Sequence, residues 1–141
     1  MLINTTHSPY AKVSPLPWDS VTWDPGFWKT QFDNNAQHTV PHLQKMFESA
    51  DISHVVENFR ICAGQAEGTF GGTDFGDGDF YKWMEAAIYS AAKTNNDDLM
   101  RKLDEYIDLI GRSQLSDGYI STKQILGERQ NNGIKRFGNI N

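Results

Sequence analysis

The chain has 141 residues, of which 38% are apolar and 12% aromatic, so it is long enough and apolar enough to form the core of one domain. Its net charge of −5 and its lack of any extended Lys/Arg cluster exclude nucleic acid as an expected partner, because phosphates need clustered positive charge. No stretch approaches the roughly 18 apolar residues that cross a membrane, and the N-terminus shows no signal-peptide pattern. We therefore expect a neutral partner and no membrane contact.

Cys62 is the only cysteine of the chain. An intrachain disulfide is therefore excluded, and a cysteine-based metal site cannot be assembled from this chain alone. The favoured interpretation is a buried, unreactive thiol.

Residues 1–22 predict an extended N-terminal lead-in, because prolines recur there among Ser and Thr residues. The turn at residues 24–26 passes the chain to an interrupted helix over residues 28–47, which Pro41 ends or kinks. Residues 58–78 are glycine-rich and lack a sustained apolar period, which predicts a long shaped loop. Loops of that length in compact domains are usually functional.

Two helices with clear apolar stripes follow this loop. Asp79 suits the N-cap of the first, whose stripe consists of Phe80, Trp83, Met84, Ala87, Ile88 and Ala91. Asp97 or Asp98 opens the second, whose stripe consists of Leu99, Leu103, Tyr106, Ile107 and Ile110. The short polar break between them predicts an antiparallel helical hairpin. Beyond it we expect a tight turn at Asp117-Gly118 and a loop from Gly127 onward, so the fold class is all-α.

In such a hairpin the N-terminus of the first helix and the C-terminus of the second lie at the same end. The glycine-rich loop and the Asp-Gly-Tyr loop should therefore converge, with the positive end of a helix dipole facing them. Acidic groups, aromatic rings and backbone N–H groups gathered in this way suit a polyhydroxylated ligand. The predicted substrate-rim residues are Asp77, Asp79, Tyr81, Lys82, Asp117 and Tyr119.

Several of these features have a structural interpretation beside the functional one. Asp79 and Asp117 either form an acid/base pair for glycoside hydrolysis or cap a helix and shape a turn, and the structural roles are favoured. His38 and His42 have the spacing of a zinc-binding helical pair, but Pro41 lies between them and the expected glutamate is missing, which favours surface histidines. Asp74-Phe75-Gly76 matches a kinase tripeptide without the other kinase signatures.

The order of the motifs resembles glycoside hydrolase family 127 and its relatives, the bacterial β-L-arabinofuranosidases. The resemblance covers residues 20–125 and rests on Phe27-Trp28, Asn58-Phe59, the glycines at 68 and 72, residues 77–86, and Gln114-x-x-Asp117-Gly118-Tyr119-Ile120. It implies an (α/α)6 toroid, of which residues 23–141 form the N-terminal portion of the catalytic barrel. Such a toroid needs ~12 helices, so we expect a truncated barrel whose remaining hairpins are partners of this chain.

The resemblance also implies chemistry. Family members use a cysteine thiolate as nucleophile, a zinc ion held by cysteines and a glutamate, and a second glutamate as general acid/base. Those residues follow the matched region, so no catalytic residue and no metal ligand is assigned here, and zinc is expected only in the full-length parent. The expected substrate is an arabinose-containing oligosaccharide or glycoside, in the cytoplasm or periplasm of a bacterium.

Two hypotheses remain from the sequence. The first is a fragment of a glycoside hydrolase that is inactive alone. The second is a self-contained small helical carbohydrate-binding or scaffold domain. A large exposed apolar surface would favour the first.

Overall fold

The structure, a computed structural model, describes residues 7–14, 16–17 and 20–131. Its helices are α1 (Phe27–Asn34), α2 (Val40–Glu48), α3 (Val55–Cys62), α4 (Gly76–Thr94), α5 (Asp97–Ser113) and α6 (Thr122–Asn131), and a π-helical segment covers Asn35–Thr39. No strand occurs in this part of the chain, so the all-α class is confirmed. The described residues divide into two compact units, one up to Asp33 and one from Asn34. The boundary predicted between residues 22 and 23 stays a prediction.

Pro41 accounts for the interruption predicted in the first helical region. It lies in the first turn of α2, where no N–H is needed for a helical hydrogen bond. A proline lacks the N–H that a preceding turn would use, and its ring crowds the carbonyl four residues back. The π-helical segment just before α2 widens that turn, and the Val40 N–H bonds to the Asn35 carbonyl five residues back.

The prediction of a long loop over residues 58–78 is wrong at both ends. Helix α3 occupies its first part, because Val55, Phe59 and Cys62 recur at helical spacing and are all buried. Helix α4 begins at Gly76, so the loop is limited to residues 63–75.

Helices α4 and α5 form the predicted hairpin and pack against each other. Asn95 ends α4 in the left-handed conformation with φ +52°. The Asn96 side chain then caps α5 by accepting a hydrogen bond from the Leu99 N–H at 3.0 Å. An asparagine thus opens α5, where aspartates were predicted.

The main core lies between α2, α3, α4 and α5. Its aromatic centre is formed by Phe59, Phe80, Trp83 and Tyr106. The Trp83 indole N–H donates to the Val40 carbonyl at 3.1 Å, which satisfies the one polar group that this ring buries. Trp83 is therefore a core residue, as predicted.

Helix α6 builds a second, smaller cluster with the end of α3. Ile125 and Leu126 pack there with Ile61 and Cys62, and Tyr119 covers the cluster from the preceding loop. The loop predicted from Gly127 is wrong as far as Asn131, and its remainder lies outside the described residues. Among the described helices, none combines the length and the apolar character that crossing a bilayer requires.

Candidate ligand rim

The two predicted loops meet through Asp77, in the first turn of α4. Its carboxylate accepts hydrogen bonds from the Thr122 N–H at 2.8 Å and from the Thr122 hydroxyl at 2.7 Å. Asp77 therefore serves as the cap of α6 from a position 45 residues away in the chain, since Thr122 is the first residue of that helix. The N-termini of α4 and α6 consequently lie side by side.

Burial sets the electrostatics of Asp77. Desolvation raises the pKa of its carboxyl group above the ordinary value, and the two hydrogen bonds from Thr122 only partly oppose this effect. The Thr122 bonds therefore offset only part of the cost of burying the ionised carboxylate.

A second contact closes the same junction. Lys123, next to the capped residue, forms an ion pair with Asp74 in the loop that precedes α4. Phe75 follows directly and is 66% exposed at the N-cap of α4. An exposed aromatic ring at this place is a candidate ligand contact that the sequence analysis did not select.

Tyr81 stands one turn further along α4, at the edge of the rim. Its ring lies 6.1 Å from that of Phe59, and its side chain is still 38% exposed. Burial, with the nearby Asp77 carboxylate and Cys62 thiol, raises the pKa of Tyr81 to about 12. The hydroxyl is therefore neutral at physiological pH and available as a hydrogen-bond donor.

Asp79 and Lys82 form an exposed ion pair at 3.1 Å within α4. The expectation that Asp79 is the N-cap of this helix is wrong, because the helix begins three residues earlier and Phe75 occupies the N-cap. Asp79 instead contributes negative charge to the first turn, which the helix dipole favours.

Asp117 shapes the turn between α5 and α6. Its carboxylate accepts a hydrogen bond from the Tyr119 N–H at 3.2 Å, and Gly118 between them has φ +85°. The predicted turn is confirmed, and it holds Tyr119 partly buried against the second cluster. Whether the six predicted rim residues contact a sugar stays a prediction, as does an acid/base pair of Asp79 and Asp117.

The other candidate residues from the sequence are two histidines and the cysteine. His38 and His42 are both exposed. Cys62 is 3% exposed, and its thiol lies 3.9 Å from the Thr122 carbonyl in the second cluster, so the buried interpretation is confirmed. Within the described ranges, no three His, Cys, Asp or Glu side chains are grouped as a metal would require.

The sequence analysis assigned no role to Thr122 or to Asn58. Thr122 opens a helix that contains only one apolar pair, and Gly127 so soon afterwards obscured that helix. Asn58 is only 1% exposed and bonds to the backbone of Gly71 with both atoms of its amide. The signal for Asn58 was a polar residue inside the apolar spacing of α3.

The α4–α5 hairpin, together with α6 whose N-terminus meets that of α4, defines an all-α protein built from packed helices. The profile of the β-L-arabinofuranosidase GH127 catalytic domain matches residues 20–140, and the chain belongs to this family. It is 33% identical to the non-reducing end β-L-arabinofuranosidase of Bifidobacterium longum subsp. longum over 119 residues, a match that covers 73% of this chain and 18% of the relative.

A solved structure gives the same relation. The crystal structure of a GH127 β-L-arabinofuranosidase from Geobacillus stearothermophilus T6 superimposes with a TM-score of 0.72 at 34% identity. That match covers 76% of this chain and 18% of the other. The helical-hairpin fold expected for part of an (α/α)6 toroid is therefore confirmed, and the chain spans about a fifth of the length of these relatives.

Proposed function

We propose that this chain supplies the first helical hairpins of a glycoside hydrolase catalytic domain that acts on β-L-arabinofuranosides or related plant cell-wall sugars. The observation that best supports this proposal is the junction of the α4 and α6 N-termini, which the hydrogen bonds between Asp77 and Thr122 hold together. In a family member, this junction supports the prediction that the adjoining loops form one side of the substrate cleft.

The groups around the junction suit a furanose. A neutral Tyr81 hydroxyl donates hydrogen bonds, whereas the Asp79 carboxylate accepts them and the Lys82 ammonium donates them. The exposed face of Phe75 offers apolar area for the C–H face of a sugar. Fixed polar groups beside an aromatic surface are the usual composition of a small-molecule site.

Catalysis belongs to the rest of the domain in this proposal. The zinc ion expected from the family resemblance would be held there by cysteines and a glutamate, and it would lower the pKa of a cysteine thiol that acts as the nucleophile. The role of this chain is to orient the sugar at the rim and to exclude water from one side of the cleft.

Titration of the isotope-labelled chain with methyl β-L-arabinofuranoside, followed by NMR, tests the rim. We expect chemical-shift changes at the backbone amides of Lys82, Gly118 and Tyr119, and a several-fold weaker effect in Lys82→Ala. Lys45→Ala is the matched control, since Lys45 is also exposed and lies near the end of α2. Shifts confined to the 260 Å³ cleft lined by Arg60 and Arg112 would refute the proposed rim.

A further inference from the structure

The side chain of Asn58 forms a two-bond clamp on the glycine-rich loop. Its amide Nδ2 donates to the Gly71 carbonyl at 2.8 Å, and its Oδ1 accepts from the Gly71 N–H at 3.0 Å. A backbone donor and a backbone acceptor on the same residue settle which amide atom is oxygen, because the flipped amide would oppose both bonds. With 1% exposure, no water replaces either partner.

The same oxygen has a second neighbour. His54 Nδ1 lies 3.0 Å from Asn58 Oδ1. A carbonyl oxygen accepts hydrogen bonds and cannot donate them, so the imidazole must carry its proton on Nδ1. In the neutral ring, Nε2 then holds a lone pair and acts as an acceptor.

The loop fits closely over this histidine. A Cβ on Gly71 would lie 2.7 Å from Cγ of His54, and a Cβ on Gly72 would lie 2.1 Å from the Ser53 carbonyl oxygen. Gly72 also has φ +81°, a conformation that favours glycine. His54 itself is left-handed, with φ +62°, at the start of α3. The two glycines therefore allow the loop to lie against the histidine ring and its backbone.

We propose that Asn58 is a positioning residue that fixes His54 as the Nδ1–H tautomer and holds the glycine-rich loop on the start of α3. The clamp leaves Nε2 of the neutral ring as an acceptor, and the chemistry that matches it is a hydroxyl or another hydrogen-bond donor. The clamped loop continues through Phe75 into α4, so Asn58 acts on the rim through the backbone. This inference stands whether or not the rim binds a glycoside.

The tautomer is measured directly in the unmodified chain. Long-range ¹H–¹⁵N correlation at pH about 9, where an imidazole is ordinarily neutral, reports which ring nitrogen carries the proton. We expect protonated Nδ1 and unprotonated Nε2 for His54. A predominantly Nε2–H ring would overturn the proposal, and this arm needs no variant.

Variants separate positioning from simple loss of packing. Asn58→Asp keeps an acceptor for both donors, so His54 should remain the Nδ1–H tautomer. Asn58→Leu removes the acceptor, so Nε2–H should become predominant. Hydrogen exchange of the Gly71 amide, which lies in the loop, should accelerate at least tenfold relative to the amides of the helices. An unchanged tautomer in folded Asn58→Leu would contradict the assignment.

The matched control is Asn96→Ala, which removes another asparagine whose amide oxygen accepts a backbone bond, from Leu99. Exchange of the Leu99 amide should accelerate in this variant, while the His54 tautomer and the Gly71 exchange rate stay unchanged. A tautomer shift in Asn96→Ala would show that the readout follows general destabilisation, and it would overturn the specific role of Asn58.

Discussion

Replacing Asp77 with alanine removes the two hydrogen bonds that join the first turn of α4 to the first turn of α6. Both donors belong to Thr122, which is 1% exposed, so neither the N–H nor the hydroxyl gains water in exchange. An unsatisfied buried donor costs about 1–3 kcal/mol. The burial that raises the Asp77 pKa also makes its charge costly. Replacing Asp77 with alanine removes that cost, which offsets part of the lost stability. We expect a net loss of about 2 kcal/mol at pH 7.

Asp77→Asn distinguishes the bonds from the charge. Its Oδ1 can accept from the Thr122 N–H while its Nδ2 donates to the Thr122 hydroxyl oxygen, so both bonds persist. Stability should stay within about 1 kcal/mol of the unmodified chain. The charge of Asp77 also makes stability depend on pH, because a raised pKa means that the folded chain holds the carboxyl proton more tightly than the unfolded chain does. The corresponding stability is full below the ordinary value of 3.8 and is lost as pH rises through the higher folded pKa.

Urea unfolding followed by circular dichroism, at several pH values between about 4 and 7, measures these differences. Asp79→Ala is the control, since Asp79 shares the first turn of α4 but only forms an exposed ion pair; a change within about 0.5 kcal/mol is expected. Asp77→Asn should also flatten the decline of stability with rising pH. If Asp77→Ala costs no more than Asp79→Ala, or if Asp77→Asn costs as much as Asp77→Ala, the capping role is refuted.

Gly72→Ala should destabilise the chain by more than about 2 kcal/mol in urea unfolding, because its Cβ would meet the Ser53 carbonyl. A Cβ on Gly118 would lie in open space, so Gly118→Ala should cost only about 1 kcal/mol for its positive φ. Equal effects would contradict the close approach. Tyr106→Phe should raise the pKa of Glu48, which NMR titration can follow. Burial raises that pKa, but the hydrogen bond from the Tyr106 hydroxyl helps to hold it below its ordinary value. An unchanged pKa in the variant would rule out that bond. The isolated chain should hydrolyse no arabinofuranoside and bind zinc no better than background, and detectable hydrolysis would contradict this.

The hairpin was predictable because its stripes are long. Helices α4 and α5 each carry several apolar residues at helical spacing, and burial of the residues that include Phe80, Ala87 and Leu103 follows from that spacing. Short helices give weaker signals. Helix α3 has eight residues, and the glycines just after it led to its assignment as loop.

The position of the rim was predictable in outline, because antiparallel pairing brings the N-terminus of α4 and the C-terminus of α5 to the same end of the hairpin. This inference needs no information about side chains. The partner of Asp77 was not predictable, because the Asp77–Thr122 contact joins residues 45 positions apart and depends on a helix with only one apolar pair. The role of Asn58 likewise depends on the path of a loop, which turn chemistry alone does not determine.

The exposed apolar side chains bear on the choice between a barrel portion and a self-contained domain. Phe27 and Trp28 are exposed on α1, and Ile88, Tyr89 and Ile107 are exposed on the α4–α5 hairpin. Exposed apolar residues in this number favour the prediction of further packing partners, and the match covers only 18% of the Bifidobacterium relative.

Exchange of the matching segment in the Bifidobacterium enzyme tests the central claim most directly. A chimera carries residues 20–140 of this chain in place of the region matched at 33% identity, and hydrolysis of a β-L-arabinofuranoside is measured. If these residues are equivalent hairpins of the same catalytic domain, a folded chimera hydrolyses the substrate, and Lys82→Ala raises its KM more than it lowers kcat. A chimera with intact helical structure but no hydrolysis would contradict the account.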